Sequence, residues 1–207
     1  MLIIKPAATL EWLTPDALNV IERAGRVCYK SEDKITGASA EKFVAGILAR
    51  GHEAVIEHAA ASFRLITDRG ITHEIVRHRL ASYCQESTRY CNYSADKFAA
   101  QIAVIEPPDL DAAQQAIWRA ACADAEKAYF ALLAAGTAPQ IARAVLPTCL
   151  KTELVMTANF REWRHFLKLR LAGGAHPQIR ELARQIAAIL SAECPAVFGE
   201  FLRAINN

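Results

Sequence analysis

Apolar and polar positions alternate in two separate stretches of the chain. Apolar side chains recur at every second position from residue 58 to residue 67, and the same period returns between residues 149 and 158. A period of two places apolar side chains on one face of an extended segment and polar side chains on the other. Both stretches are therefore predicted to be half-buried strands. Two shorter apolar runs, residues 2–4 and 101–106, are also predicted to be strands.

Helix-boundary residues and helical spacing predict most of the remaining elements. Thr14 followed by Pro15 is typical of a helix start, with Thr14 as the N-cap. Asn159, with Glu162 three residues later, resembles a capping box. Helices are predicted over residues 15–28, 40–49 (ending at Gly51), 70–79, 111–135, 137–146, 176–192 and 196–205, with one more beginning after Asn159.

Residues 80–94 lack periodicity and are rich in small polar side chains, so an ordered loop or a short extended segment is predicted there. The chain has no internal repeat, low-complexity tract or Gly/Ser linker, and residues 1–207 are predicted to form a single domain. Helices grouped around a sheet of alternating strands indicate an α+β fold, a sheet flanked by helices.

Composition and charge narrow the classes of function. Hydrophobic residues make up 53% of the chain and charged residues 22%, which favours a packed core over disorder. The net charge of +2 gives no reason to expect a partner nucleic acid or membrane surface. Between residues 143 and 184, eight basic residues face only three acidic ones. Such a patch suits a small anionic ligand, although a solvated helix surface explains it equally well.

Neither targeting signals nor cysteine motifs are evident. No basic region followed by a long apolar run opens the chain, and no stretch approaches the roughly 20 apolar residues of a membrane span. The six cysteines are scattered without a C-x-x-C pair, so neither a disulfide framework nor a zinc site is predicted. A cytoplasmic protein with reduced thiols is expected.

A cluster of cations is the first candidate for chemistry. Arg77, His78 and Arg79 are consecutive, and Ser82, Gln85, Ser87 and Arg89 add hydrogen-bond donors just downstream. Adjacent cations repel one another, so an anion nearby is favourable, and the planar guanidinium suits phosphate. A pair of surface arginines at a helix end is the alternative interpretation.

Arg170 is the second candidate. In the helix that begins after Asn159 it lies on the apolar stripe formed by Trp163, Phe166 and Leu167, whereas Arg161, His165 and Lys168 form a polar stripe. A guanidinium on a core-facing stripe needs a partner, because an unpaired buried charge is very costly. That partner is either a structural carboxylate or a ligand.

Other chemistry is weakly supported. Residues 51–58 contain two histidines and two acids, but their spacing matches no standard metal site, so no metal is predicted. Cys84 and Cys91 flank the cationic segment, where neighbouring cations can lower a thiol pKa. A cysteine nucleophile therefore remains an alternative. No dinucleotide-binding or triphosphate-binding glycine motif is present.

The order of residues 77–90 resembles the signature of the flavin-dependent thymidylate synthases: Arg77-His78-Arg79, seven residues, Ser87, then Arg89-Tyr90. The resemblance extends over most of the chain. It includes Arg23-Ala24-Gly25-Arg26-Val27-Cys28-Tyr29-Lys30-Ser31, Gly51-His52 with Glu57-His58, Arg143 with Leu146-Pro147, and Asn159-x-Arg161 with Leu169-Arg170.

This resemblance implies an enzyme that makes dTMP from dUMP with the fold of that family. Methylenetetrahydrofolate would donate the carbon, and NADPH would supply reducing equivalents through bound FAD. The family resemblance also implies a homotetramer with active sites where subunits meet, and no enzyme nucleophile. Hydroxymethylation of a pyrimidine nucleotide, a non-catalytic nucleotide-binding role and a cysteine-based nucleotide enzyme are the alternatives.

By position, the resemblance also implies site residues. The dUMP ligands would be Glu74, Arg77, Gln85, Glu86, Ser87, Arg89, Arg143 and Arg170. Of these, Arg170 would be catalytic, because it would contact the pyrimidine and favour its N3-deprotonated form. The FAD ligands would be His52, Ala54, Glu57, Arg77, His78, Arg79, Gln85, Asn159, Arg161 and His165.

Three positions depart from the family pattern. Cys84 stands where many relatives carry Asn or Ser, and Ala54 stands where a hydroxyl often touches the flavin. Glu74 occupies a position that is often Gln, and its carboxylate would repel a phosphate unless paired, for example with Arg77. These departures are expected to tune affinity rather than to abolish activity.

Overall fold

The computed structural model describes residues 1–206, except for the side chains of Arg203, Ala204 and Asn206. The strands are β1 Leu2–Ile4, β2 Ala7–Leu13, β3 Ala60–Asp68, β4 Ala81–Gln85, β5 Ala103–Ile105 and β6 Lys151–Asn159. The helices are α1 Ala17–Val27, α2 Ser39–Ala49, α3 Arg69–Ile75, α4 Ala112–Ala134, α5 Pro139–Ala142, α6 Phe160–Arg170, α7 Pro177–Glu193, α8 Pro195–Phe198 and α9 Glu200–Asn206. The predicted α+β class, with sheets flanked by helices, is confirmed.

Two compact units make up the chain. The first unit comprises Met1–Ala7, Ile66–Arg77 and Cys84–Leu154. The second unit comprises Ala8–Leu65, His78–Tyr83 and Val155–Asn207. In the part of the chain that is described, no helix combines the length and the apolar character needed to cross a membrane.

The larger sheet has the strand order β2-β3-β6-β4. Along the inner strand β6, residues 152, 154, 156 and 158 are buried and their neighbours are half-buried, as the alternating sequence predicts. The edge strand β2 was not predicted. Its residues are all exposed or half-buried, so the alternation that marks an inner strand is weak there.

The first unit has its own sheet and core. Strands β1 and β5 pair in parallel, with Leu2 opposite Ala103 and Ile4 opposite Ile105. Helix α4 begins with a capping box formed by Asp111 and Gln114. The buried core consists of Tyr93, Ile102, Val104, Cys122, Tyr129, Ala142 and Leu150.

The core of the second unit contains a cluster of aromatic residues around helix α6. The Trp163 ring is fully buried and lies 5.0 Å from the Phe63 ring and 5.6 Å from the Phe166 ring, in edge-to-face geometry. Its indole Nε1 donates to the carbonyl of Ala61 at 3.0 Å. The apolar stripe predicted for this helix is therefore the face that packs inward.

The predicted N-cap at Thr14 is wrong. The Thr14 hydroxyl accepts from the backbone N–H of Ala60 at 2.9 Å, and the backbone N–H of Thr14 donates to the Ala60 carbonyl at 2.9 Å. Helix α1 begins three residues later, after Asp16 with a φ of 52°. A long-range contact thus uses the hydroxyl that local sequence assigned to the helix.

The predicted helix end at Gly51 is confirmed. Gly51 has a φ of 73°, which glycine adopts without steric cost. The Gly51 N–H donates to the Leu48 carbonyl at 2.9 Å, and the His52 N–H donates to the Ile47 carbonyl at 3.0 Å. This pair of bonds is a Schellman motif, and it sets the direction in which the chain leaves α2.

Candidate active site

In the first unit, the segment after β4 gathers hydrogen-bond donors around one turn. The Ser87 carbonyl accepts from the N–H of Tyr90 at 3.1 Å and from that of Cys91 at 2.8 Å. The Ser87 hydroxyl accepts from the N–H of Arg89 at 3.3 Å. These local bonds shape the turn and leave the Arg89 side chain exposed.

Arg143 joins this turn from a distant part of the sequence. It follows α5 directly, and its Nη1 donates to the hydroxyl of buried Thr88 at 3.0 Å. Two predicted phosphate ligands therefore meet at one turn. Arg89 is part of the turn, and Arg143 bonds to it through Thr88. Thr88 makes that contact, but it was not among the predicted residues because a single threonine carries no sequence signal.

Gln85 is fixed by two hydroxyl groups. Its Nε2 donates to Thr72 Oγ1 at 3.1 Å and to Thr152 Oγ1 at 3.2 Å. Both hydroxyls are buried. The amide is therefore held in one orientation at the end of β4, which suits the ligand role predicted for it.

Glu86 has a half-buried ion pair. Its Oε2 accepts from Lys151 Nζ at 3.0 Å, and its Oε1 accepts from the Tyr93 hydroxyl at 2.9 Å. Lys151 also donates to Glu153 Oε1 at 2.6 Å. The Glu86 carboxylate thus supports the turn, and the Glu86 backbone N–H donates to the Glu153 carbonyl at 2.9 Å.

The ionisation of this cluster follows from burial. Burial raises the pKa of the Tyr93 hydroxyl, and the charge of Glu86 raises it further. Burial lowers the pKa of Lys151, but its bonds to Glu153 and Glu86 outweigh that effect, and the net pKa is raised. Lys151 therefore stays charged and the Tyr93 hydroxyl stays protonated at neutral pH.

Glu74 and Arg77 lie at the end of α3. Their main chains are joined by a bond from the Arg77 N–H to the Glu74 carbonyl at 3.3 Å. The Glu74 side chain is half-buried and the Arg77 side chain is exposed. Arg77 can therefore reach a ligand without losing a core contact.

In the second unit, Arg170 bonds to a histidine. Its Nε donates to Nε2 of His78 at 3.0 Å, and Nδ1 of His78 lies 3.0 Å from Oε1 of Glu162. His78 and Glu162 are 4% and 6% exposed. The cationic group predicted to need a partner thus joins a Glu162–His78–Arg170 chain, of which Glu162 and His78 are buried and Arg170 is half-buried.

Burial governs ionisation along this chain too. Burial lowers the pKa of His78, and Arg170 and His165 oppose its protonation, whereas Glu162 acts in the opposite direction. Burial also raises the pKa of Tyr83 to about 12, so its hydroxyl remains a donor, and it donates to the His78 carbonyl. His78 is therefore neutral at pH 7.

A cavity of about 1200 Å³ opens beside α6 in the second unit. Four residues of the predicted FAD set line it: Glu57, Asn159, Arg161 and His165. The other lining residues are Glu53, Leu80, Glu162, Arg164, Leu167, Lys168, Leu171, Ala172, Glu200 and Phe201. The polar stripe predicted for this helix, Arg161, His165 and Lys168, faces the cavity.

Ion pairs fix the basic side chains of the cavity wall. Arg161 Nη1 donates to Glu57 Oε1 at 2.6 Å. Arg164 Nη2 lies 3.1 Å from Glu53 Oε1 and 2.6 Å from Glu200 Oε1. These contacts connect α6 to α9 and to the turn at Glu53–His58, and they hold the cavity wall in place.

Of the remaining predicted FAD residues, His52, Ala54 and Arg79 lie elsewhere on the surface of the second unit, His78 is buried in it, and Arg77 and Gln85 belong to the first unit. His52 and Ala54 are exposed after α2, and within residues 1–206 neither belongs to the lining of this cavity. Arg79 is exposed before β4. Strand β4 itself occupies part of the stretch predicted to be a loop or a short extended segment.

The local cap of α6 forms only in part. Asn159 Oδ1 accepts from the N–H of Glu162 at 2.9 Å, as predicted. The Glu162 carboxylate, however, lies against His78 instead of completing a capping box. Glu162, His78 and His165 hold potential metal-ligand atoms within 4.8 Å of one another, but the guanidinium bonded to His78 disfavours a second cation there.

Residues 9–196 match the family model described as thymidylate synthase complementing protein. The chain is 37% identical to the flavin-dependent thymidylate synthase of Mycobacterium avium (strain 104), over 88% of this chain and 78% of the relative. The chain belongs to the flavin-dependent thymidylate synthase family. A second member, from Mycolicibacterium gilvum (strain PYR-GCK), is 36% identical over 93% of this chain and 83% of its own.

A solved structure extends the similarity to the whole fold. The UMP/dUMP methylase PolB from Streptomyces cacaoi, bound with 5-Br dUMP, superposes with a TM-score of 0.80 at 26% identity. The superposition covers 98% of this chain and 97% of PolB. The predicted family, fold and enzymatic nature of this thymidylate synthase homologue are thereby confirmed.

Proposed function

We propose that this family member converts dUMP to dTMP, with methylenetetrahydrofolate as carbon donor and NADPH as reductant through bound FAD. The observation that carries the nucleotide part is the turn at Ser87, where Arg143 bonds to Thr88 beside exposed Arg89. One guanidinium on this turn and a second bonded to it suit a phosphate monoester. PolB, which binds 5-Br dUMP, has the same fold and supports the choice of nucleotide.

In this proposal, Arg77, Arg89 and Arg143 bind the phosphate, with Gln85 and Ser87 as further hydrogen-bonding ligands. Glu86 supports their turn through Lys151. Glu74 borders the nucleotide, where its carboxylate tunes affinity. Arg170 contacts the pyrimidine, where a cation favours the N3-deprotonated form because opposite charges stabilise one another.

The residues of the second-unit cavity fit a flavin dinucleotide. Its volume of about 1200 Å³ exceeds the roughly 300–1,000 Å³ of ordinary small-ligand pockets. A diphosphate bound there would pair with Lys168 and would share Arg161 and Arg164 with the lining carboxylates of Glu57, Glu53 and Glu200. The proposed FAD ligands are those named from the resemblance: His52, Ala54, Glu57, Arg77, His78, Arg79, Gln85, Asn159, Arg161 and His165.

When bound, FAD supplies the reducing equivalents that turn the transferred methylene into a methyl group. The chain itself binds the nucleotide phosphate, orients the pyrimidine and increases the nucleophilic character of its ring. No side chain needs to add to the pyrimidine. The proposed active enzyme is a homotetramer with active sites at subunit interfaces.

The decisive test records the visible spectrum of the purified protein and then measures its activity on dUMP. Its visible spectrum should show an oxidised flavin, and 5-tritiated dUMP with NADPH and methylenetetrahydrofolate should release tritium and yield dTMP. A hydroxymethyl product would replace the proposed reaction with hydroxymethylation. A protein that binds no FAD and releases no tritium would contradict the proposal. UMP should be run in parallel, because PolB is a methylase of both nucleotides.

Loss of a thiol should leave this reaction intact. Cys84 is exposed on β4, and Cys84→Ala should change kcat by no more than about twofold, as for ordinary surface substitutions. Cys28→Ala, at an exposed cysteine that follows α1, is the matched control. A loss confined to Cys84→Ala and exceeding about 100-fold would instead indicate a thiol nucleophile.

A further inference from the structure

Glu162 is a buried carboxylate that the helix cap does not explain. It is the third residue of α6, and its backbone N–H is already satisfied by Asn159. Its carboxylate is withdrawn from solvent and lies 3.0 Å from Nδ1 of His78. A buried carboxylate is costly unless it is hydrogen-bonded, so this contact has to be counted as part of its role.

The position of the proton on His78 follows from its two neighbours. An arginine Nε–H can only donate, so Nε2 of His78, which receives it, carries a lone pair. The ring proton of the neutral imidazole therefore lies on Nδ1, where Oε1 of Glu162 accepts it. Glu162 stabilises the one neutral tautomer that lets His78 accept a bond from Arg170.

We propose that Glu162 is a positioning residue, which holds His78 in its Nδ1–H tautomer and thereby fixes the Arg170 guanidinium against the pyrimidine. The inference rests on the proposed function, since it assigns Arg170 to the nucleotide. Toward the nucleotide, the Glu162 carboxylate acts through His78 and Arg170. Carboxylates that orient metal-bound histidines change activity by roughly one to two orders of magnitude, and we expect an effect of the same size here.

Protonation of His78 would break this arrangement. An imidazolium has N–H groups at both nitrogens, and Nε2–H would point at the Nε–H of Arg170. The charged or titratable groups that face His78 are Glu162, His165 and Arg170 on α6, and Tyr83 on β4. Turnover should accordingly fall on the acid side, below the ordinary histidine pKa of 6.5.

Two substitutions separate the hydrogen bond from the charge. Glu162→Gln keeps an oxygen that accepts from Nδ1–H but removes the negative charge, whereas Glu162→Ala removes both. Because the Glu162 charge raises the pKa of His78, either change should lower that pKa further. Glu181→Gln, on an exposed part of α7, is the matched control.

Histidine ¹⁵N spectra should report the tautomer directly, with the His78 signal assigned by its loss in His78→Gln. We expect Nδ1–H in wild type and in Glu162→Gln. In Glu162→Ala the Nδ1–H has no acceptor, so the ring is free to turn away from Arg170, and we expect a mixture of tautomers. Release of tritium should fall roughly 10- to 100-fold in Glu162→Ala. FAD affinity, measured by flavin titration, should fall by less than turnover, because the other proposed flavin ligands of the cavity remain. Glu162→Gln should keep most turnover at pH 8 and lose activity only at a lower pH than wild type.

Several results would overturn the inference. These are an unchanged tautomer in Glu162→Ala, equal losses of turnover in both variants, or a loss of FAD affinity in Glu162→Ala as large as its loss of turnover. Wild-type protein that releases no tritium would instead defeat the proposed function. In that case the ¹⁵N spectra, which need no substrate, still decide whether Glu162 fixes His78.

Discussion

Replacing Arg170 with alanine should lower kcat/KM for dUMP by roughly 10²- to 10³-fold, the usual cost of losing one preorganised charged donor in an active site. Arg170 is half-buried at the end of α6, and its Nε bond to His78 restricts its orientation. The loss should appear mainly in kcat, because the phosphate ligands of the first unit remain. Tritium release and isothermal titration with dUMP measure the two parts separately.

Two further variants make that result interpretable. Arg170→Lys should not restore turnover, because an ammonium lacks the planar donor set that can bond to His78 and to a ligand at once. Arg184→Ala, on the exposed face of α7, should retain wild-type activity. Turnover by Arg170→Ala within a few-fold of the Arg184→Ala value would refute the assignment of Arg170 to the pyrimidine.

Replacing Lys151 with methionine should cost about 3 kcal/mol in the free energy of unfolding. The change leaves the Glu86 carboxylate, only 12% exposed, without its cation. Glu153 is 37% exposed and hydrated, so it adds little to this loss. Urea denaturation at one fixed protein concentration measures the change, and dUMP affinity should weaken with it because Glu86 supports the Ser87 turn.

Lys127→Met is the matched control for Lys151→Met. Lys127 and Asp124 form an ion pair at 3.0 Å, but their side chains are 77% and 75% exposed. Surface pairs of this kind contribute about 0–1 kcal/mol. Equal effects of the two substitutions would mean that the Lys151 cluster is no more important than a surface pair.

The stability that Lys151 contributes through Glu86 and Glu153 depends on pH in a defined way. In the folded protein the pKa of Lys151 is raised above the ordinary lysine value of 10.5. The stability that Lys151 contributes is therefore fully present below that value and is lost as the pH rises through the raised pKa. Acidification to pH 6 should leave this contribution of Lys151 unchanged.

Local patterns predicted the elements whose burial is one-sided. The alternation of β6 and the two stripes of α6 survive in the structure, because each has one face in the core. Strand β2 and the start of α1 were missed for a different reason. Thr14 is bonded to Ala60, 46 residues away, and no local pattern in the sequence carries that pairing.

In the candidate site, too, local sequence predicted some features and long-range contacts determined the others. Candidate ligands from the arginine-rich segment could be named from their order along the chain, and Arg170 stood out because a guanidinium on an apolar stripe needs a partner. The nature of the partner could not be predicted. His78 and Glu162 are separated by 84 residues, and the sequence offered Glu162 only a role in a helix cap. Tautomers and buried contacts arise from tertiary structure.

The alternation of β4 has a practical consequence for following ligand binding by spectroscopy. Ser82 and Cys84 are exposed, whereas Tyr83 and Gln85 are half-buried on the opposite face. With Cys28 replaced by serine, Cys84 becomes the most exposed of the remaining thiols in the described chain. A fluorophore attached there would lie next to Gln85 in sequence but on the other face of the strand. It would therefore report nucleotide binding through changes in emission without blocking the amide that is proposed to bind it.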